Sequence, residues 1–255
     1  MELFCRHIGH GKPIIILHGL FGSSDNWMSI AHKLGEKWNV FVPDLRNHGQ
    51  SFHSDIWNYE VMVEDIWNLI EKYNINDPVV LGHSMGGKVA MQFAVTFPNI
   101  VKKLIIVDIA PKFYPVHHQT ILKGLNLLDL KKISSRFDAN EKLSKYIDDA
   151  VVRQFLLKNL TREEDGSYNW KLNLQIITSQ IENIGHILNP EMLKFKEPTL
   201  FIKGIKSDYI TPEEYSLIAE TYQNNFIATI KDAGHWVHVE NTPQFLKVVE
   251  NFIEL

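Results

Sequence analysis

A serine hydroxyl becomes a nucleophile when an imidazole takes its proton and a carboxylate orients that imidazole. This chain carries such groups in a suggestive order. Ser84 stands in Gly82-His83-Ser84-Met85-Gly86, directly after the apolar run Val79-Val80-Leu81 and before a stretch with helical spacing. Glycines at these positions permit a cramped strand-to-helix turn that lifts the hydroxyl clear of a sheet, where close packing leaves no room for side chains. Among 12 histidines, His235 is the candidate base: it lies in Asp232-Ala233-Gly234-His235-Trp236, after the last expected strand. Its place after Ser84 suits the order serine, acid, histidine. Two aspartates compete to orient it. Asp108 follows Leu104-Ile105-Ile106-Val107, and Asp208 follows the run that begins Leu200-Phe201-Ile202; the residues alone leave both open. A developing oxyanion needs two N–H donors, and Met85 and Leu20, the latter in His18-Gly19-Leu20-Phe21-Gly22, are placed to supply them.

These side chains meet only if strands deliver them to one edge of a sheet. Short apolar runs rich in β-branched residues predict buried strands at 14–17, 40–42, 79–81, 104–107, 199–202 and 226–230. Helical spacing between them predicts helices over 24–37, 61–73, the segment after Ser84, 212–222, and a last helix with Thr242 as N-cap and Pro243 in its first position. Continuous apolar strands alternating with amphipathic helices imply a mostly parallel sheet covered on both faces. Between 112 and 190 the alternation stops. Helix-like stripes such as Ile121, Leu122, Leu125 and Leu128, then Val152, Phe155, Leu156 and Leu160, predict a helical cap inserted into a core formed by 1–111 and 191–255.

Composition narrows the function classes. A net charge of −4 without blocks of like charge argues against nucleic-acid binding. No apolar run is long enough to cross a bilayer, and an acidic residue, Glu2, in a start without an apolar segment does not resemble a signal peptide. The single cysteine, Cys5, allows no intrachain disulfide. No membrane partner, metal or cofactor is expected, and a cytoplasmic setting suits the chain. Oligomeric state is not legible. Lys88, Phe113, Tyr114, Phe137 and Phe155 read as packing residues, Lys88 alternatively as a surface one; His83 as structural or pocket wall; Trp236 and His238 as buttresses.

With these motifs in hand, the chain resembles the α/β-hydrolase superfamily, and within it the YbfF-like esterase subgroup related to abhydrolase-11 proteins. The resemblance rests on 17–23, Asp44-Leu45-Arg46-Asn47-His48-Gly49, Gly82 to Lys88, Val107 to Pro111, and Gly234 to His238. It implies an α/β-hydrolase fold and a cofactor-free serine esterase acting on a small-molecule ester or thioester. In that subgroup a serine occupies the place of Ser207 and the acid matches Asp108, so the resemblance favours Asp108 over Asp208. Ser207 then becomes a hydrogen-bond donor to Asp108 or His235. Thioesterase, carbon–carbon bond hydrolase and perhydrolase chemistry use the same machinery. A non-turnover ligand receptor on this fold is the reading from another class.

Overall fold

The computed structural model describes residues 1–186 and 194–255. Nine strands form among the described residues: β1 (Cys5–Ile8), β2 (Pro13–Leu17), β3 (Asn39–Pro43), β4 (Val79–His83), β5 (Lys103–Val107), β6 (Leu160–Arg162), β7 (Tyr168–Trp170), β8 (Thr199–Gly204) and β9 (Asn225–Ile230). Seven make one sheet in the order β1-β3-β2-β4-β5-β8-β9, parallel throughout except for β1 against β3. The helices are α1 (Met28–Leu34), α2 (Tyr59–Tyr73), α3 (Met85–Thr96), α4 (Gln119–Leu127), α5 (Arg136–Leu143), α6 (Ala150–Leu157), α7 (Leu174–Ser179), α8 (Tyr215–Thr221), α9 (Val237–Glu240) and α10 (Thr242–Glu254).

The continuous apolar runs have a direct cause. Successive strand side chains point to opposite faces, and both faces are covered. Ile15, Leu17, Val80, Leu104 and Ile106 pack with Met62 and Ile66 of α2 and Val89 and Phe93 of α3. The alternate residues Ile14, Ile16, Leu81, Ile105 and Val107 pack with Ile30 and Leu34 of α1 and Phe245 and Val249 of α10. A strand with one wet face would have alternated apolar and polar residues instead.

Between β5 and β8 lie α4 to α7 and a hairpin of β6 and β7. Their apolar side chains, among them Leu122, Leu125, Leu143, Leu156 and Ile177, continue the cluster on the α2–α3 face. Polar ties fasten the segment to the loops of the sheet. Asn159 Nδ2 donates to Phe21 O at 2.7 Å, the Asn173 amide to Asn47 O at 3.0 Å, and the Trp57 amide to Gln180 Oε1 at 2.9 Å. Positions 187–190 of the expected insertion lie outside the described residues.

Several local expectations need correction. The helix expected over 24–37 is a 3-10 turn, Ser24–Asn26, followed by α1. The helix expected over 212–222 likewise begins as a 3-10 turn, Pro212–Glu214. Thr242 does not cap the last helix. Asn241 does, its side chain accepting from the Gln244 amide, while Thr242 Oγ1 turns back to donate to His238 O at 2.7 Å. Strand β1 and the hairpin were not anticipated. Both are short, and β1 is a half-buried edge strand whose Arg6 and His7 interrupt any apolar run.

Candidate active site

Parallel strands end at the same edge, so the loops after β2, β4, β5, β8 and β9 converge. Ser84 follows β4 and caps α3 with φ +53° and ψ −119°, a backbone conformation that non-glycine residues seldom adopt. Its neighbours hold it there. The Ser84 amide donates to Val107 O at 3.1 Å, and Ser84 O accepts from the Lys88 amide at 3.1 Å. A Cβ on Gly82 would lie 2.2 Å from Gly86 O, and one on Gly86 would lie 2.4 Å from Leu17 O. The two glycines are therefore required by backbone contact on either side of the serine. Ser84 is half-buried and lines a cleft of about 410 Å³, its open mouth included.

Asp108 turns at the end of β5 with φ +52° and is fully buried. Its Oδ2 accepts from His235 Nδ1 at 2.8 Å and from the Ser207 hydroxyl, and its Oδ1 accepts from the Gly204 amide at 3.1 Å. A buried carboxylate needs such donors to remain charged. Asp208, one residue beyond Ser207, is exposed and makes no hydrogen bond or ion pair to His235. The two expected acids thus part company: the histidine meets Asp108.

With Nδ1 committed to Asp108, Nε2 of His235 is the nitrogen left for chemistry. Two further groups fix this ring. His83, next to the serine, donates Nε2–H to His235 O at 2.9 Å. Tyr209 stacks on the imidazole with centroids 4.1 Å apart and planes 20° apart. Burial and the neighbouring rings of His235 and His238 push the His83 pKa well below 6.5, so His83 stays neutral beside the candidate base. No hydrogen bond joins Ser84 Oγ to His235 among the described residues. Without substrate, such bonds are often long, and they tighten when substrate binds.

Leu20 and Met85 border the same cleft, and the amide of neither donates to a protein acceptor among the described residues. The Leu20 loop is held by His18. Leu45 donates its amide to His18 Nε2 at 2.9 Å, which leaves Nδ1–H to donate to Gly19 O at 2.9 Å. Burial lowers the His18 pKa to about 4, so the ring keeps this neutral tautomer. The 44–49 loop behind it is pinned by a buried pair, Arg46 on both carboxylate oxygens of Asp65 at 2.5 and 2.8 Å.

Other expectations change. Lys88 is neither ordinary packing nor surface: it is 2% exposed and borders the cleft. Tyr114 borders it too, whereas Phe113 and Phe137 are largely exposed and lie outside the core. Trp236 packs on Phe155 of the insertion, and His238 stacks on Trp27 at 4.0 Å. Tyr209 and the cleft residue His118 escaped sequence reading, since neither sits in a periodic or glycine-rich pattern. For Lys88 a signal existed: it lies four residues after Ser84, on the same helix face.

Matching against protein families gives one fold family, described as the alpha/beta hydrolase fold, over residues 12–242. The chain belongs to the α/β-hydrolase family. It is 37% identical to the sn-1-specific diacylglycerol lipase ABHD11 of Danio rerio, across 96% of this chain and 80% of that protein. It is 30% identical to esterase YbfF of Escherichia coli, across 96% of this chain and 94% of that protein. A solved marine microorganism esterase superposes with a TM-score of 0.93 at 42% identity, covering 98% of this chain and 99% of that one. The protein is accordingly a hydrolase of the YbfF and ABHD11 type, with esterase- and lipase-class activity. No helix among the described residues is long and apolar enough to cross a membrane.

Proposed function

We propose that this hydrolase cleaves carboxylic esters of small to medium acyl groups through an acyl-enzyme on Ser84. The reading rests above all on one observation: His235, on the loop after β9, receives a buried carboxylate, Asp108, beside the turn that carries Ser84. His235 Nε2 accepts the Ser84 proton as Oγ attacks the ester carbonyl. Asp108 holds the imidazole in the required tautomer and stabilises it once charged. Ser207 and the Gly204 amide hold the Asp108 carboxylate in position through this step. The Leu20 and Met85 amides stabilise the tetrahedral oxyanion. His235 then returns its proton to the leaving alcohol. In the second half it draws a proton from water, the hydroxide attacks the acyl carbonyl, and His235 returns the proton to Ser84 Oγ as the acid leaves. The cleft, walled by Leu20, Ser84 and Met85 of the core and by Tyr114, His118 and Ile184 of the insertion, supports small to medium acyl groups beneath a helical cap.

Replacement of Ser84 by Ala tests the assignment. Hydrolysis of 4-nitrophenyl butyrate should fall by at least 10³-fold, with the melting temperature nearly unchanged. Turnover within tenfold of the parent enzyme would refute Ser84 as nucleophile.

A further inference from the structure

Lys88 has no part in the bond-making steps above, yet its position is costly. It follows Ser84 by four residues at the start of α3, one helical turn of ~5 Å along the same face. Helical side chains lean back toward the N-terminus, which directs this one toward the turn that bears the nucleophile. The residue is 2% exposed and forms part of the cleft wall with Ser84, Leu20 and Met85.

What surrounds the ammonium is polar but not anionic. Nζ donates to Gly185 O at 3.1 Å and to His186 O at 2.8 Å. It also lies 5.1 Å from the ring centre of Tyr114 and 5.9 Å from that of Tyr59. An ammonium has three N–H donors, and the third meets no protein acceptor among the described residues. Nor is Lys88 paired with any carboxylate among them; the ion pairs of this region belong to Lys112 with Glu214 and His235 with Asp108. Carbonyl dipoles and ring faces soften a buried positive charge without cancelling it. Burial alone draws the Lys88 pKa down to about 7. An entering anion would restore the charged form.

We propose that Lys88 is the specificity determinant of the acyl side of this cleft, selecting short acyl groups that carry a second carboxylate. The substrate class is then the monoesters or monothioesters of short dicarboxylic acids. The reacting carbonyl sits at Ser84 and the far carboxylate meets the Lys88 ammonium about one helical turn away. This deepens the assignment of Ser84 as nucleophile and rests on it. The alternative is a purely structural Lys88 that tethers residues 185 and 186 to α3.

The two part in a ratio of rates. Monomethyl glutarate and methyl pentanoate have acyl chains of equal length and differ in the terminal carboxylate. Their kcat/KM values are measured for the parent enzyme and for Lys88→Met and Lys88→Arg. Titration with an organophosphonate counts competent Ser84 in each preparation. The ratio of anionic to neutral ester should drop about tenfold or more in Lys88→Met and recover at least partly in Lys88→Arg, since a charge-assisted hydrogen bond is lost and then restored. A ratio that moves less than threefold in correctly titrating Lys88→Met overturns the proposal and leaves the tether. If Lys88→Met does not fold, competitive inhibition of the parent enzyme decides. Glutarate should bind at least tenfold tighter than pentanoate, and equal or weaker binding overturns the proposal. Absence of Ser84 titration in the parent enzyme would instead refute the nucleophile assignment, a separate failure.

Discussion

Asp108 accepts three hydrogen bonds in full burial, while Asp208 projects into solvent 100 positions later in the chain. The chemistry of the two side chains is identical, so only environment divides them. Replacing Asp108 by Asn should lower kcat on the order of 10³- to 10⁴-fold, because an amide no longer fixes the productive His235 tautomer. Asp208→Asn should stay within about twofold of the parent rate, as expected for an exposed residue without side-chain partners among the described residues. Steady-state kinetics on both variants checks this; near-normal turnover by Asp108→Asn would contradict the geometry. At this scale the meeting of Ser84, Leu20 and Met85 at one cleft, with His235 on the neighbouring loop, was legible from glycine placement and chain order. Asp108 was not separable from Asp208 by residue pattern. The deciding feature is a left-handed backbone turn at φ +52° that aims Asp108 across the sheet edge, and no local sequence signal announces it.

At the scale of elements, the turn at Ser84 depends on α3 packing unusually close to the strands. Gly86 is the tightest case among the glycines of α3. A methyl there would stand 2.4 Å from Leu17 O and 2.5 Å from His18 O, both backbone atoms that cannot rotate away. Gly86→Ala should therefore cost roughly 1–3 kcal/mol and lower the melting temperature by several degrees. It should also cut activity, since Leu17 and His18 lead into the Leu20 loop. Calorimetry together with ester hydrolysis tests this, and an unchanged melting temperature would show that α3 can back away. The buried strands were readable because covering both faces leaves an unbroken apolar run. The 3-10 starts before α1 and α8 were not, since tertiary packing sets the tightness of a first turn. Strand β1 was missed because edge pairing with β3 needs backbone groups and few apolar side chains.

Across the whole molecule, four histidines are sealed in as neutral rings. Burial lowers the pKa of His18 to about 4 and of His48 and His238 to about 3, and His83 lies well below 6.5. Each folded value is below the usual 6.5, so the unfolded chain takes the proton first. Their contribution to stability is therefore complete above about pH 6.5 and is lost as pH falls toward 4 and then 3. The urea midpoint should drop steeply between pH 6.5 and 5; a flat midpoint over that window would mean that these rings are protonated in the folded protein. Three of these rings brace the site: His18 holds the Leu20 loop, His83 packs on His235, and His238 packs on His83. Acid should thus weaken fold and site together.

Ester cleavage by this site requires Ser84 to be the one hydroxyl made reactive by the fold. Mass spectrometry after treatment with a fluorophosphonate measures this most directly. One added phosphonyl group per chain is expected, located on the peptide containing Ser84, absent after denaturation before treatment, and strongly slowed in Asp108→Asn. A native enzyme that hydrolyses esters while Ser84 remains unmodified, or that takes the label on another residue, would contradict it.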